Sequence, residues 1–197
     1  MNTTHEVRSR ISGHVLIRDA DSRVVLVDCD NAIHTENVSY ALALSFADRP
    51  NGNIMQMAFG NGASAVSGVG DITYLPPNVV GADTQLYHQT YQKFVDDLSP
   101  LDTDPTNNFI RVNHAAGATY SDLVVTCMLD YNEPDGQPAT ADAVDTDGRF
   151  IFDELGLMTY DPSSTTGMLL THVVFHPVQK ALNRRIEVIY TLRIVMG

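Results

Sequence analysis

Seven histidines, two cysteines and 24 carboxylates are the side chains with which this 197-residue chain could do metal, thiol or acid–base chemistry. The nearest approach to a metal loop is Asp145-Thr146-Asp147-Gly148 with Glu154 further on. An EF-hand needs oxygen ligands at alternate positions, a glycine at the sharp turn and a closing bidentate glutamate. Alignment on Gly148 brings Asp145, Asp147 and Glu154 into register, but Ala143 falls at the first ligand position and the flanks read as strand. A solvated acidic loop is the simpler reading, and a divalent ion in it the alternative. His172 and His176 lack the glutamate of the zinc-protease pattern. On a strand they share a face but stand ~13 Å apart, too far for one metal. His34-Thr35-Glu36 has the His-x-Glu of zinc deaminases without their Pro-Cys-x-x-Cys, and Asp28-Cys29-Asp30 reads as a strand end. Gly60-Asn61-Gly62 follows a strand, yet no Gly-Lys-Ser/Thr follows it and Ala65 breaks the Gly-x-Gly-x-x-Gly spacing. Backbone positions needing positive φ account for those glycines more economically. Cys29 and Cys127 lie in apolar runs and read as buried thiols. Tyr74, Tyr87 and Tyr91 could stack on a sugar, although packing is the simpler role. No catalytic constellation survives, so a non-enzyme without metal or cofactor is expected.

Composition narrows the class further. The formal net charge is −12, from 12 basic and 24 acidic side chains. General nucleic-acid binding needs clustered Lys and Arg and is not expected. No apolar run reaches the ~18 residues of a membrane span, and MNTTHEVRSR carries no secretory h-region. Two cysteines make no disulfide framework and fit a reducing compartment. The charge is uneven: residues 31–165 hold four basic and eighteen acidic side chains, whereas residues 166–197 hold Lys180, Arg184, Arg185 and Arg193 against Glu187. A solvated acidic surface explains this; the sharper alternative is docking between copies, acidic flank to basic strip.

The elements that position these residues read as mainly β. Residues 14–18 and 23–27 form a hairpin around Asp19-Ala20-Asp21-Ser22, whose side chains can bond their own backbone. Val38, Ala41, Leu42, Ser45 and Phe46 recur at helical spacing, with Thr35 as cap and Arg49-Pro50 as stop. Strands are expected at 54–59, 72–75, 109–114, 123–131, 150–152, 155–158 and 168–175, with Gly156 suggesting a bulge or bend. Residues 86–95 read as helix, then strand. The clearest alternation is Ile186, Val188, Tyr190, Leu192 and Ile194. The expectation is one domain over 1–197, an antiparallel β-sandwich (jelly-roll-like) with one or two inserted helices and long loops at 60–83 and 132–148.

Three pieces taken in order resemble a known class: Phe59-Gly60-Asn61-Gly62 followed by a Gly/Ser loop and Leu86-Tyr87; Phe152-Asp153-Glu154-Leu155-Gly156-Leu157; and Phe175-His176-Pro177-Val178-Gln179-Lys180 with the closing strand. Over residues 25–197 the chain resembles small virion structural proteins of tailed bacteriophages, particularly myoviruses and phages of cyanobacteria. The resemblance implies a non-enzymatic virion protein that is homo-oligomeric and docks on other structural proteins, at the head–tail neck or tail, with capsid decoration as alternative. A carbohydrate- or host-surface-binding β-module is the reading of another class. The interface residues expected are Phe59, Gly60, Asn61, Gly62, Tyr74, Glu154, Gly156, Lys180, Arg184, Arg185 and Arg193. Gly156 would let a neighbouring strand approach, and Lys180 would pair with Asp153 or Glu154.

Overall fold

The computed structural model describes residues 8–134, 150–164 and 167–197. Eleven strands and one helix follow in chain order: β1 (Ser9–Asp19), β2 (Val25–Ile33), α1 (Thr35–Phe46), β3 (Gln56–Gly60), β4 (Ser64–Val66), β5 (Ile72–Tyr74), β6 (Gln89–Phe94), β7 (Phe109–Asn113), β8 (Tyr120–Leu129), β9 (Phe150–Met158), β10 (Thr171–Lys180) and β11 (Ile186–Met196). Nine strands form one curled antiparallel sheet in the order β6-β3-β9-β10-β2-β1-β11-β8-β7; β4 and β5 make a separate hairpin.

The β1–β2 hairpin forms where the Asp/Ser turn predicts it. Asp19 Oδ1 accepts from the Asp21 and Ser22 amides and the Ser22 hydroxyl, and Arg23 takes the positive φ that closes the turn. The alternation of β11 likewise holds: Ile186, Val188, Tyr190 and Leu192 are all buried, because β11 lies between β1 and β8 with one face on the core.

The ladder within the nine-stranded sheet is shortest between β2 and β10, which share two residue pairs, Ile33–Thr171 and Ala32–His172. On either side of that junction the inner faces meet in one core. Val15, Ile17, Val125, Cys127, Val188 and Tyr190 come from one half, and Met57, Phe59, Phe152, Leu155 and Phe175 from the other. Phe59 and Phe175 both meet Phe152 edge to face, at 5.4 and 5.8 Å between centroids.

Three expectations change. His34, not Thr35, caps α1: its Nδ1 accepts the Asn37 amide at 3.2 Å. Residues 86–88 are not helical, and β6 takes the alternating half of that stretch. Gly156 is no bulge, since it pairs in register with Ala58. The irregularity lies two residues earlier, where the β9–β10 register shifts between Val174 and Val178. Pro177, which has no N–H for the ladder, sits inside the shift. Phe152 and Leu155 both enter the core, so β9 changes face at Asp153-Glu154. Two successive carboxylates are thereby left on the outer side.

Candidate functional site

That change of face builds a buried polar hub. Glu154 and His172 are fully buried. Glu154 Oε1 accepts from the His88 amide at 2.8 Å and the Gly62 amide at 3.2 Å; Oε2 accepts from the Tyr87 amide at 2.9 Å. The Asn78 amide donates to His172 Nδ1 at 2.7 Å, so the neutral ring carries its proton on Nε2 and donates it to Glu154 Oε2 at 2.9 Å. Burial pushes the Glu154 pKa up, but the bonds from His172, His88 and Tyr87 outweigh it and the net shift is downward. Asp153 accepts from the amides of Ala63, at 3.1 Å, and Ser64, at 2.9 Å, and from the Ser64 hydroxyl; burial dominates there and raises its pKa.

The hub explains the glycines. None of Gly60, Gly62 or Gly156 has positive φ; each is a place of close approach. A Cβ on Gly60 would stand 2.5 Å from Glu154 Oε1, one on Gly62 would stand 2.7 Å from the His88 Cβ, and one on Gly156 would stand 2.3 Å from the Thr171 carbonyl oxygen. The Gly-Asn-Gly piece and the Asp-Glu-Leu-Gly piece are thus two halves of one packing unit. Asn61 joins it through His88 Nδ1 at 2.7 Å.

Phe59, Gly60, Glu154, Gly156 and Lys180 are buried inside the chain and offer no surface to a partner. Asn61 and Gly62 are half-buried, while Tyr74 is exposed with its hydroxyl 3.0 Å from His176 Nδ1. Lys180 pairs with neither Asp153 nor Glu154. Its Nζ donates to the carbonyls of Asp130 (2.7 Å), Glu133 (2.8 Å) and Ala181 (3.2 Å), and burial lowers its pKa to about 8. Beside it, Lys93 donates to both Glu133 carboxylate oxygens, at 2.8 and 2.6 Å.

The basic strip meets acids of its own chain. Arg184 bonds Asp19 at 2.7 Å, Arg185 bonds Asp21, and Arg193 grips Asp122 through two nitrogens at 2.7 and 2.8 Å while lying over the Tyr120 ring. Those guanidinium groups draw Asp21 and Asp122 below the usual carboxylate range. At Asp19 the Ser22 amide does most of the lowering, ahead of Arg184. Docking of an acidic flank onto this strip would have to displace these pairs.

The other chemical readings resolve simply. Cys127 is fully buried and its pKa is pushed up to about 12; Cys29 is also raised by burial, so neither is an activated thiolate. Tyr91 packs in the core between Phe59 and Phe150, whereas Tyr74 and Tyr87 remain exposed. Among the described residues no three His, Cys, Asp or Glu side chains are grouped to hold a metal. Asp145 and Asp147, with most of the 132–148 loop, lie outside those residues.

An opening that sequence reasoning missed lies at the other end of the core. The inner-face rows of β1, β11, β8 and β7 run on past the packed core into an apolar cleft of about 420 Å³, with Ile11, Ile194, Leu123 and Val112 on its wall. Val38, Ala41 and Leu42 of α1 and Ile54 face them, and Asp96, Asp97 and Leu98 stand at the rim. Leu98 is 90% and Val112 69% exposed. Asp97 is occupied, accepting the Ile110 amide at 3.0 Å and Arg111 at 2.9 Å; Asp96 takes only the Leu98 amide at 3.1 Å. The volume falls within that of ligand and peptide clefts. Its signal in the sequence was the apolar alternation of 109–114 and the helical stripe of 38–46, read only as a strand and a helix.

Comparison with protein-family models, with curated proteins and with solved structures returned no match. Among the described residues no helix is long and apolar enough to cross a membrane.

Proposed function

We propose that the chain is a non-enzymatic structural protein of a tailed-phage virion, working by docking and self-assembly rather than by chemistry. In this reading the curled sheet is a jelly-roll-like β-sandwich, and the protein stands at the head–tail neck or tail, with capsid decoration as the alternative station.

One observation carries the proposal: the apolar cleft between α1 and the β1–β11–β8–β7 wall, with Leu98 and Val112 exposed at its lip. Apolar lips of this kind favour a partner that covers them. The occupant proposed is an apolar segment of a neighbouring virion protein, with a basic residue meeting Asp96. The β7 edge beside the cleft is not the attachment point. The Ile110 amide is taken by Asp97 and its carbonyl by Arg111, which blocks strand addition there.

Leu98→Asp and Val112→Asp test this. Both positions are exposed, so folding should change by within about 0.5 kcal/mol. The expected result is a folded protein absent from purified particles; incorporation at the normal copy number would overturn the proposal. Exposed Tyr74 and Tyr87 favour the second reading, a carbohydrate-binding face. Glycan-array binding that is lost in Tyr87→Ala would support it, and an array without hits would remove it.

A further inference from the structure

The segment between β5 and β6 is strapped over the outer face of the sheet, and buried side chains hold it at three places. Glu154 takes the Tyr87 and His88 amides at its far end. His34 Nε2 donates to the Gly81 carbonyl at 3.0 Å, because its Nδ1 is committed to the Asn37 amide. His172 Nδ1 takes the Asn78 amide at 2.7 Å. Both histidines are fully buried, and each accepts a backbone N–H on Nδ1. That bonding is available only to a neutral imidazole.

The two histidines differ in what faces them. From β9, the Glu154 carboxylate bonds His172 Nε2, and from the strap the Tyr87 ring lies 5.6 Å from the imidazole centroid. From β2, the uncharged Ala32 pairs with it across the ladder. Next to Glu154, Asp153 is bonded to Ala63 and Ser64. His34 has no ionic partner among the described residues, and protonating its Nδ1 would cost the α1 cap with no counter-charge to offset it. His172 can therefore take a second proton beside a counter-charge, and His34 cannot.

We propose that His172 is a proton-operated latch: a proton on Nδ1 sets two N–H donors against each other and releases residues 77–80 from the sheet. The Glu154 bond on Nε2 survives as an ion pair, so release is confined to the Asn78 end while Gly81, Tyr87 and His88 stay held. The freed stretch is Pro77-Asn78-Val79-Val80, because the Leu75 amide stays on the Ala63 carbonyl and the Pro76 carbonyl on the Tyr87 hydroxyl. Acidification would thus uncover Asn78 and Val79, the two half-buried residues of a stretch in which Pro77 and Val80 are already exposed. The closed form excludes a second proton because the Asn78 amide occupies Nδ1, and the open form accepts it beside the Glu154 carboxylate. Closure therefore weakens as pH falls, by at most about tenfold per pH unit for one proton.

The test is NMR of the full chain between pH 8 and 5, following the His172 ring nitrogens and exchange of the Asn78 amide after correction for intrinsic chemistry. The expected result is that Asn78 exchange accelerates, up to about tenfold per unit, as Nδ1 protonates, while the Tyr190 amide stays protected. His172→Asn keeps an acceptor near Asn78 but does not titrate, and its profile should be flat. Should that variant fail to fold, Asn78→Pro removes the N–H instead, and the His172 titration midpoint should then rise. Asn78 exchange that ignores His172 protonation, or an identical pH response in His172→Asn, or an unmoved midpoint in Asn78→Pro, overturns the latch.

Discussion

The two ends of the core solve opposite problems. At the β9–β10 end, polar groups are buried and nearly every one is bonded: Glu154 accepts four hydrogen bonds, Asp153 three, and His172 uses both nitrogens. At the α1–β7 end the lining is aliphatic, the space is unfilled, and Leu98 and Val112 face solvent. Residues with arresting chemistry, a buried carboxylate–imidazole pair above all, are at the end where internal bonds consume their capacity. The capacity left over is apolar, and it is at the other end. The proposed docking is therefore placed on the unfilled cleft and not on the charged cluster.

The largest expected effect tests the closed end. Glu154→Ala leaves three backbone amides and the His172 N–H without their buried acceptor, and should destabilise folding by about 3–5 kcal/mol, measured by urea denaturation. Gly156→Ala follows, because its Cβ would meet the Thr171 carbonyl oxygen; a loss of about 2–3 kcal/mol is expected. Lys180→Met keeps the length of the side chain but strips three carbonyls of their donor, at about 1–3 kcal/mol.

The pH profile sharpens the contrast. Lys180 has a folded-state pKa near 8, below its ordinary 10.5. The unfolded chain therefore binds more protons between those values, and stability should rise with pH from about 8 toward 10. Lys180→Met should abolish that rise. Glu154, Asp19 and Asp122 have lowered pKa values. Their contribution is present at neutral pH and should be lost as pH falls below about 4. Asp102 and Asp153 are raised by burial and oppose that loss in part. The smallest stability effects belong to the lip residues Leu98 and Val112, where substitution should leave the denaturation midpoint nearly unmoved.

The alternation of β11 and the Asp/Ser turn of the first hairpin were legible because one local rule decides each. The helical stripe of α1 was legible too, but not its cap: His34 caps only because the chain brings its ring under both the Asn37 amide and the Gly81 carbonyl. The face change at Asp153-Glu154 could not be read, since strict alternation puts neighbouring side chains on opposite faces. It takes the Phe175–Pro177 irregularity in a strand distant in sequence to break that rule. The motif residues were singled out correctly as a group, Phe59 to Gly62 with Glu154 and Gly156, but their union is a packing unit within one chain. The partners of the basic strip could not be read for the same reason: Asp19, Asp21 and Asp122 are remote in sequence and adjacent in the fold.

The docking site proposed is the open end and not the polar hub. Particles assembled with Val112→Asp, beside particles with the exposed hub-side variant Tyr74→Ala, test it most directly by the copy number of the chain in each. Val112→Asp should be lost from the particle and Tyr74→Ala incorporated normally, both variants being folded. Normal incorporation of Val112→Asp would contradict it.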